Sequence, residues 1–277
     1  MRLVTYAAGG ETAVGVKRDG GVVPTGYSDL ISLILDGERG LERAREAAER
    51  GQQVEPERLL AAVPRPGKIL CSGINYRSHK EENPDAVFPD EPFFFSKLPS
   101  AVIGPGEPIV IPRPETQTDY EVELALVIGR IARRVRERDA LGYVFGYTVL
   151  NDVSARDIQF KDNQITLGKG VDTFSPIGPE VVTPDEIPDP QQVRVSSYLN
   201  GEQMQSSPTS DMIFPPARLI EFLTAIVTLD PGDVVSTGTP AGVGAFRKPP
   251  VWLKPGDEIA VEVDGIDRLT NPVVAGW

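Results

Sequence analysis

One apolar run near the middle of the chain contains two acidic residues, Glu121 and Glu123. The run covers Tyr120–Ile128, is rich in strand-forming residues and ends at Gly129, which predicts a buried β-strand. Side chains alternate across a strand, so both glutamates should share one face, about 7 Å apart. Burying either carboxylate without a partner costs several kcal/mol. Because no Lys or Arg interrupts the run, a bound divalent metal is the simplest source of compensating charge.

A third acid, Asp152, follows the next predicted strand, Gly146–Leu150. Together with Glu121 and Glu123 it would supply three hard oxygen donors, which suit Mg²⁺ or another hard divalent ion. Water or substrate would fill the remaining positions, as in a catalytic site. The spacing leaves an alternative open, in which the glutamates face solvent on an edge strand and Asp152 caps the next element.

His79 is the only histidine in the chain. If its segment forms a short helical turn, Glu82 at i+3 lies on the same face and can orient the imidazole ring. A histidine oriented in this way can accept a proton near neutral pH. The alternative is a surface histidine in a charged loop.

Net charge, the length of apolar stretches and the cysteine count indicate which partners and which compartment to expect. The formal charge of −12 argues against a nucleic-acid or anionic-membrane partner. No stretch approaches the roughly 18 apolar residues of a membrane span, and no signal peptide is evident. The single cysteine, Cys71, excludes an intrachain disulfide and suits a reducing compartment. We therefore expect a soluble cytoplasmic protein.

The order of predicted elements indicates an α+β protein that is mainly β. Residues 1–65 form a small α/β appendage, with a hairpin over residues 3–17 and a charged helix over Glu38–Gln53. The turn Pro64–Gly67 separates it from a strand-rich main domain, residues 66–277, punctuated by Gly and Pro. One amphipathic helix is predicted after Asp211, with Pro215 and Pro216 in its first turn.

Several segments, in order from about Lys68 to Val274, resemble motifs of the fumarylacetoacetate hydrolase superfamily. They are Ile74–His79, Asp119–Leu124, Gly146–Asp157, Gly168–Gly170 and Ser236–Gly244. The resemblance implies a mixed β-sandwich roll, a small variable N-terminal domain and a homodimer.

The resemblance also implies roles for individual residues. It makes Glu121, Glu123 and Asp152 the ligands of Mg²⁺ or Mn²⁺, with Ca²⁺ possible in crystals. The resemblance also implies residues that act on the substrate. His79 and Glu82 correspond to a His–Glu dyad on a mobile lid, and Lys169 corresponds to a lysine near the substrate. Thr239 corresponds to a threonine that binds the substrate carboxylate, and Lys97 to a further lysine near the pocket.

The lid departs from the family pattern, and two further charged residues are not given a catalytic role. The lid is unusually charged, so Glu81 could compete with Glu82 for the dyad role, although i+3 geometry favours Glu82. Arg156 and Asp157 are interpreted as scaffold, because an adjacent Arg–Asp pair can form a structural ion pair.

The expected substrate is a small 2-oxo or β-diketo acid. The leading hypothesis is hydrolytic C–C cleavage of an acylpyruvate-like substrate through a metal-stabilised enolate. The alternatives are decarboxylation of an oxaloacetate-type β-keto acid, isomerisation or decarboxylation of 2-hydroxyhepta-2,4-diene-1,7-dioate, and ureidoglycolate cleavage. A non-enzymatic module stabilised by a metal would leave His79 and Lys169 without a use.

Overall fold

The computed structural model describes residues 1–18, 20–82, 87–161 and 164–276, except the side chain of Glu81. The strands are β1 Arg2–Ala8, β2 Glu11–Arg18, β3 Gly21–Pro24, β4 Arg58–Leu59, β5 Ile69–Ser72, β6 Phe94–Lys97, β7 Val102–Ile103, β8 Ile109–Ile111, β9 Thr118–Asp119, β10 Val122–Ile128, β11 Val144–Asn151, β12 Ser154–Ala155, β13 Ser175–Pro176, β14 Glu180–Val182, β15 Arg194–Leu199, β16 Glu202–Pro208, β17 Val234–Ser236, β18 Glu258–Val263 and β19 Ile266–Ala275. The helices are α1 Leu30–Leu35, α2 Glu38–Arg50, α3 His79–Glu82, α4 Glu137–Ala140, α5 Arg156–Gln159, α6 Thr166–Lys169 and α7 Pro216–Ile226, with 3₁₀ turns at Pro99–Ala101, Leu141–Tyr143, Thr209–Asp211 and Gly244–Phe246.

Two mixed sheets form the body of the described structure. The larger has the order β3-β2-β1-β14-β11-β10-β17-β5-β6, with β4 also paired to β1, and the smaller has the order β16-β15-β18-β19-β8. Most pairs are antiparallel, whereas β17 with β5 and β19 with β8 are parallel. The predicted α+β fold, mainly β and with mixed sheets, is confirmed.

Strand β10 lies inside the larger sheet and divides its side chains between two cores. Val122, Leu124 and Leu126 belong to the core that also contains residues of β15, β18 and β19 from the smaller sheet. Ala125 and Val127 belong to a second core with residues of β1, α1 and α2. This alternation is the one predicted from the sequence, and it sets Glu123 on the opposite face from Val122.

The first 65 residues extend the larger sheet. Strand β1 pairs with β14 at Leu3 and Val181, and β2 and β3 continue the sheet outward. The predicted charged helix is α2, which ends before Gly51. Helix α1 is not predicted by the sequence analysis. Asp29 caps its N-terminus, where the side chain accepts a hydrogen bond from the Ser32 N–H at 2.8 Å. The division at residue 65 falls between β4 and β5 and stays a prediction.

The helix predicted after Asp211 is α7, which begins at Pro216. Proline suits this first position because its missing N–H has no helical partner there. Among the described residues, no helix has the length and apolar character required to cross a membrane.

Candidate active site

Pairing between β10 and β11 brings the three predicted acids together. Val122 lies opposite Asn151, so Glu121 and Asp152 lie just beyond the paired ends. The Asp152 N–H donates to the Glu121 carbonyl at 2.8 Å, which fixes the two chains at this point. Carboxylate oxygens of Glu121, Glu123 and Asp152 all lie within 4.8 Å of one another. The sheet register therefore assembles the cluster that the sequence predicted.

Burial excludes the alternative in which the two glutamates face solvent. Glu121, Glu123 and Asp152 are 8%, 1% and 0% exposed. Ser154 does contact Asp152, but its hydroxyl donates to the backbone carbonyl at 3.0 Å, not to the carboxylate. The Asp152 side chain is therefore free to point toward the glutamates.

Basic side chains from other parts of the chain neutralise two of these acids. Lys169 Nζ lies 2.7 Å from Glu121 Oε2 and 2.8 Å from Asp152 Oδ2. Lys97 Nζ lies 2.5 Å from Asp152 Oδ1, and Arg156 Nη2 lies 2.5 Å from Glu121 Oε1. Burial alone would raise the pKa of Glu121, but Lys169 and Arg156 outweigh it and lower that pKa to about 2.

Glu123 differs from its two neighbours because it forms no ion pair with any residue that the structure describes. Its Oε2 accepts hydrogen bonds from the Ser236 hydroxyl at 2.5 Å and the Gly238 N–H at 3.0 Å. Burial, with the nearby carboxylates of Asp152 and Glu121, raises the pKa of Glu123 well above its usual range. The cluster thus retains an unpaired acid among three hard oxygen donors, a set that fits a divalent cation.

His79 and Glu82 lie at the two ends of the single turn α3. His79 Nδ1 is 3.4 Å from Glu82 Oε2, and the side chains are only 13% and 10% exposed. The i+3 geometry expected from the sequence is therefore present, and the surface-loop alternative is excluded by burial. The competing residue Glu81 has a side chain outside the described part of the structure.

A cavity of about 280 Å³ connects the dyad histidine with the acidic cluster. His79, Glu121, Glu123, Lys169 and Thr239 all contribute to its wall. Other lining residues are Arg156 and a set of aromatic side chains, Phe93, Phe95, Phe160 and Phe246. The polar groups therefore face a partly apolar enclosure, which strengthens electrostatic interactions with a bound molecule.

Thr239 and Lys97 occupy different places relative to this cavity. Thr239 lines it, but its hydroxyl donates to the Val122 carbonyl at 2.9 Å and accepts from Gln205 at 2.8 Å. Lys97 is 1% exposed and lies behind Asp152, where its ammonium also donates to the Val153 carbonyl at 3.0 Å. Contact of either residue with substrate stays a prediction.

Arg156 has a role that sequence analysis missed. It was interpreted as the partner of Asp157, but among the described residues it pairs instead with Asp119 and Glu121. Asp157 accepts a hydrogen bond from the Gln117 N–H at 3.1 Å. Asp119 was also missed, although its position two residues before Glu121 places it on the same face of an extended chain.

Comparison with known proteins agrees with this geometry. A family model described as fumarylacetoacetate (FAA) hydrolase C-terminal matches residues 68–274. The chain is 46% identical, over 99% of its length and 90% of the relative, to a protein from Xenopus laevis named oxaloacetate tautomerase fahd2, mitochondrial.

Two solved structures are similar over nearly the whole chain. One is a fumarylacetoacetate hydrolase from Exiguobacterium antarcticum, 36% identical with a TM-score of 0.87, covering 99% of both chains. Another is maleylpyruvate hydrolase from Sphingobium sp. SYK-6 in complex with manganese(II) ion and pyruvate, 30% identical with a TM-score of 0.84, covering 100% of both chains. These proteins are enzymes whose names include hydrolases and a tautomerase.

The expected cytoplasmic location is wrong in the light of these relatives. The Xenopus laevis protein, like similar proteins from Bos taurus and Homo sapiens, is named as mitochondrial. The error has a physical origin, because a single cysteine excludes an intrachain disulfide without distinguishing one reducing compartment from another.

Proposed function

The chain belongs to the fumarylacetoacetate hydrolase family, and on this premise we propose that it interconverts the keto and enol forms of a small 2-oxo dicarboxylic acid of the oxaloacetate type. The observation that carries this proposal is the presence of His79 and of two residues of the acidic cluster, Glu121 and Glu123, in the wall of one cavity. The tautomerase name of the relative that is 46% identical supports this reaction over the hydrolysis favoured by sequence analysis.

Glu121, Glu123 and Asp152 would hold a divalent cation, Mg²⁺ or Mn²⁺. When bound, such an ion polarises a 2-oxo group and stabilises negative charge on the enolate oxygen. The manganese ion in the Sphingobium enzyme supports a divalent metal in this family.

His79 would act as the proton carrier. Its Nδ1 faces Glu82, so with an Nδ1–H directed at that carboxylate Nε2 would be left as the proton acceptor. Nε2 would remove a proton from the carbon beside the 2-oxo group, and transfer of that proton to the enolate oxygen gives the enol; the reverse sequence regenerates the keto form. This proton transfer consumes no water and breaks no carbon–carbon bond.

Lys169 would stabilise negative charge that develops on the substrate. Its ammonium is held by Glu121 and Asp152, and the attraction of these carboxylates outweighs the effect of burial and raises the pKa of Lys169. The group therefore stays cationic at neutral pH and needs no reorganisation during the reaction. Thr239, in the same wall, would bind a substrate carboxylate.

Hydrolytic C–C cleavage of an acylpyruvate-like acid is the second candidate. The same His79–Glu82 pair could remove a proton from water instead of from carbon, and a structural relative at 30% identity is a maleylpyruvate hydrolase. Tautomerisation and hydrolysis would therefore differ in the group that lies beside His79 Nε2, which is a substrate C–H in the first and a water molecule in the second.

Product analysis distinguishes the candidates. Oxaloacetate mixed with the protein and Mg²⁺ should reach keto–enol equilibrium faster, as followed by enol absorbance, without release of pyruvate or CO₂. His79→Ala and Glu123→Gln should lose this acceleration. Stoichiometric pyruvate from acetylpyruvate, with no acceleration of oxaloacetate tautomerisation, would instead establish hydrolysis; CO₂ from oxaloacetate would establish decarboxylation.

The homodimer implied by the sequence resemblance and the division into residues 1–65 and 66–277 are also proposals. Analytical ultracentrifugation tests the first, with a sedimentation coefficient of a 30.0 kDa monomer as the contrary result. Limited proteolysis that produces a stable fragment starting near residue 66 would support the second.

A further inference from the structure

We propose that the segment Gly242–Arg247, which we call the latch, positions Glu82 and through it His79. Arg247 is then a positioning residue for proton transfer, although it contacts neither the dyad nor the acidic cluster by an ion pair or hydrogen bond among the described residues. This inference rests on the catalytic role proposed above for His79 and Glu82.

The two carboxylate oxygens of Glu82 have separate partners. Oε1 accepts a hydrogen bond from the Gly242 N–H at 2.5 Å, whereas Oε2 lies 3.4 Å from His79 Nδ1. Oε2 is buried and accepts no hydrogen bond from the described residues, so His79 is the group it faces. Because one oxygen is fixed by the latch, the direction in which the other faces the imidazole is fixed as well.

Position 242 accepts only glycine without rearrangement. Gly242 has a φ of 105°, in the region that residues with a Cβ atom rarely adopt. A Cβ atom here would also lie 2.3 Å from the backbone oxygen of Met204. The N–H that contacts Glu82 therefore depends on a backbone conformation that a side chain would disturb.

Arg247 and Tyr120 fix this conformation from the carbonyl side. Arg247 Nε and the Tyr120 hydroxyl each donate to the Gly242 carbonyl at 3.2 Å. Arg247 Nη2 donates to the Met204 carbonyl at 2.6 Å, and the guanidinium forms no ion pair with the described acids. The described contacts of Arg247 are thus hydrogen bonds to backbone carbonyls. Such contacts stabilise the conformation of a loop and do not neutralise an acidic side chain.

Asp119 anchors the middle of the latch. Its carboxylate, fully buried, accepts hydrogen bonds from the Gly244 N–H at 2.7 Å and the Ala245 N–H at 3.0 Å. The same carboxylate accepts two hydrogen bonds from Arg156, which also contacts Glu121. The latch and the acidic cluster therefore share one anchor, so the dyad is held at a defined distance from the cluster.

The single histidine makes this proposal directly measurable, since only His79 contributes imidazole resonances to an NMR spectrum. The ¹⁵N shifts of His79 should move in Arg247→Ala and in Gly242→Ala toward the values found in Glu82→Ala. Lys248→Ala, the exposed basic neighbour, is the matched control and should leave them at the wild-type position. Arg247→Ala keeps the test valid if Gly242→Ala fails to fold.

Kinetics give a second readout. Arg247→Ala should lower kcat by roughly tenfold or more while KM changes little, because a displaced base affects proton transfer more than binding. Wild-type His79 shifts in both latch variants would overturn the proposal, as would unchanged shifts in Glu82→Ala. Displaced shifts in a protein inactive on oxaloacetate would support the latch and contradict only the proposed reaction.

Discussion

The ammonium nitrogen of Lys169 lies 2.7 Å from Glu121 Oε2, and both side chains are buried. This ion pair joins residues 48 positions apart. It neutralises one of the buried carboxylates for which the local sequence offers no basic partner. Compensation by basic side chains is incomplete, however, because Glu123 has no such partner among the described residues. A divalent cation bound at the cluster would supply the positive charge that Glu123 lacks, whereas Glu121 and Asp152 already have basic partners.

Replacing Glu123 should therefore affect the metal-free and metal-bound proteins in opposite ways. Glu123→Gln retains an acceptor for Ser236 and Gly238 and removes an unpaired buried acid. In EDTA the free energy of unfolding should stay equal or rise by about 1 kcal/mol. Urea unfolding measures this, and a loss of more than about 2 kcal/mol would contradict the account.

Lys97 should be a strong determinant of stability, because its charge pairs with Asp152 where both side chains are fully buried. Lys97→Met removes one partner of a buried pair and should lower the free energy of unfolding by about 3 kcal/mol. Lys254→Met, at an exposed position without an ion pair to the described residues, is the matched control and should change stability by less than about 0.5 kcal/mol. Equal effects in urea denaturation would refute the prediction.

Proton transfer should depend on the dyad while metal binding does not. His79→Ala and Glu82→Gln should each lower kcat for oxaloacetate tautomerisation, the first by about 10²-fold or more. Calorimetric titration with Mn²⁺ should give wild-type affinity in both, because neither residue belongs to the acidic cluster. Lys80→Ala, an exposed neighbour in α3, should keep wild-type kcat. Loss of Mn²⁺ binding in His79→Ala would count against the separation of roles.

Stability should respond to pH through Glu180, the first residue of β14. Burial raises the pKa of Glu180 above its ordinary value of 4.5, and Arg2 and Lys17 only partly offset this. A raised folded-state pKa means that the folded protein binds the proton more tightly than the unfolded chain does. The contribution of Glu180 to the free energy of unfolding is therefore fully present below pH 4.5, and it is lost as the pH rises through the raised pKa of the folded protein.

Comparison with Glu180→Gln isolates this effect from other titrating groups. Wild-type protein should lose stability relative to the variant as the pH rises from 4.5 toward neutrality, as measured by urea unfolding at each pH. A constant difference between the two proteins across this range would show that Glu180 does not titrate differently on folding.

Local patterns predicted much of the fold and which side chains come together in the acidic cluster and in the His79–Glu82 pair. Alternation along β10 correctly separated Glu123 from Val122 and Leu124, and helical spacing correctly brought Glu82 beside His79. The two strands predicted around the acids, Tyr120–Ile128 and Gly146–Leu150, have bounds within two residues of β10 and β11. These features depend on residues only a few positions apart.

Interactions between distant segments could not be predicted from such patterns. The contacts of Glu121 with Arg156 and Lys169 span 35 and 48 positions, and that of Lys97 with Asp152 spans 55. These separations carry no periodic signal, so the basic partners of the acidic cluster became visible only in the folded chain. Arg156 was accordingly assigned to the wrong acid.

Titration of Mn²⁺ into EDTA-treated protein tests the central claim most directly, namely that Glu121, Glu123 and Asp152 form a divalent-cation site. Isothermal titration calorimetry should show one ion bound per chain. Glu123→Gln should weaken that affinity by at least about 100-fold while the protein stays folded. Wild-type protein that binds no Mn²⁺, or a Glu123→Gln variant with unchanged affinity, would contradict the account.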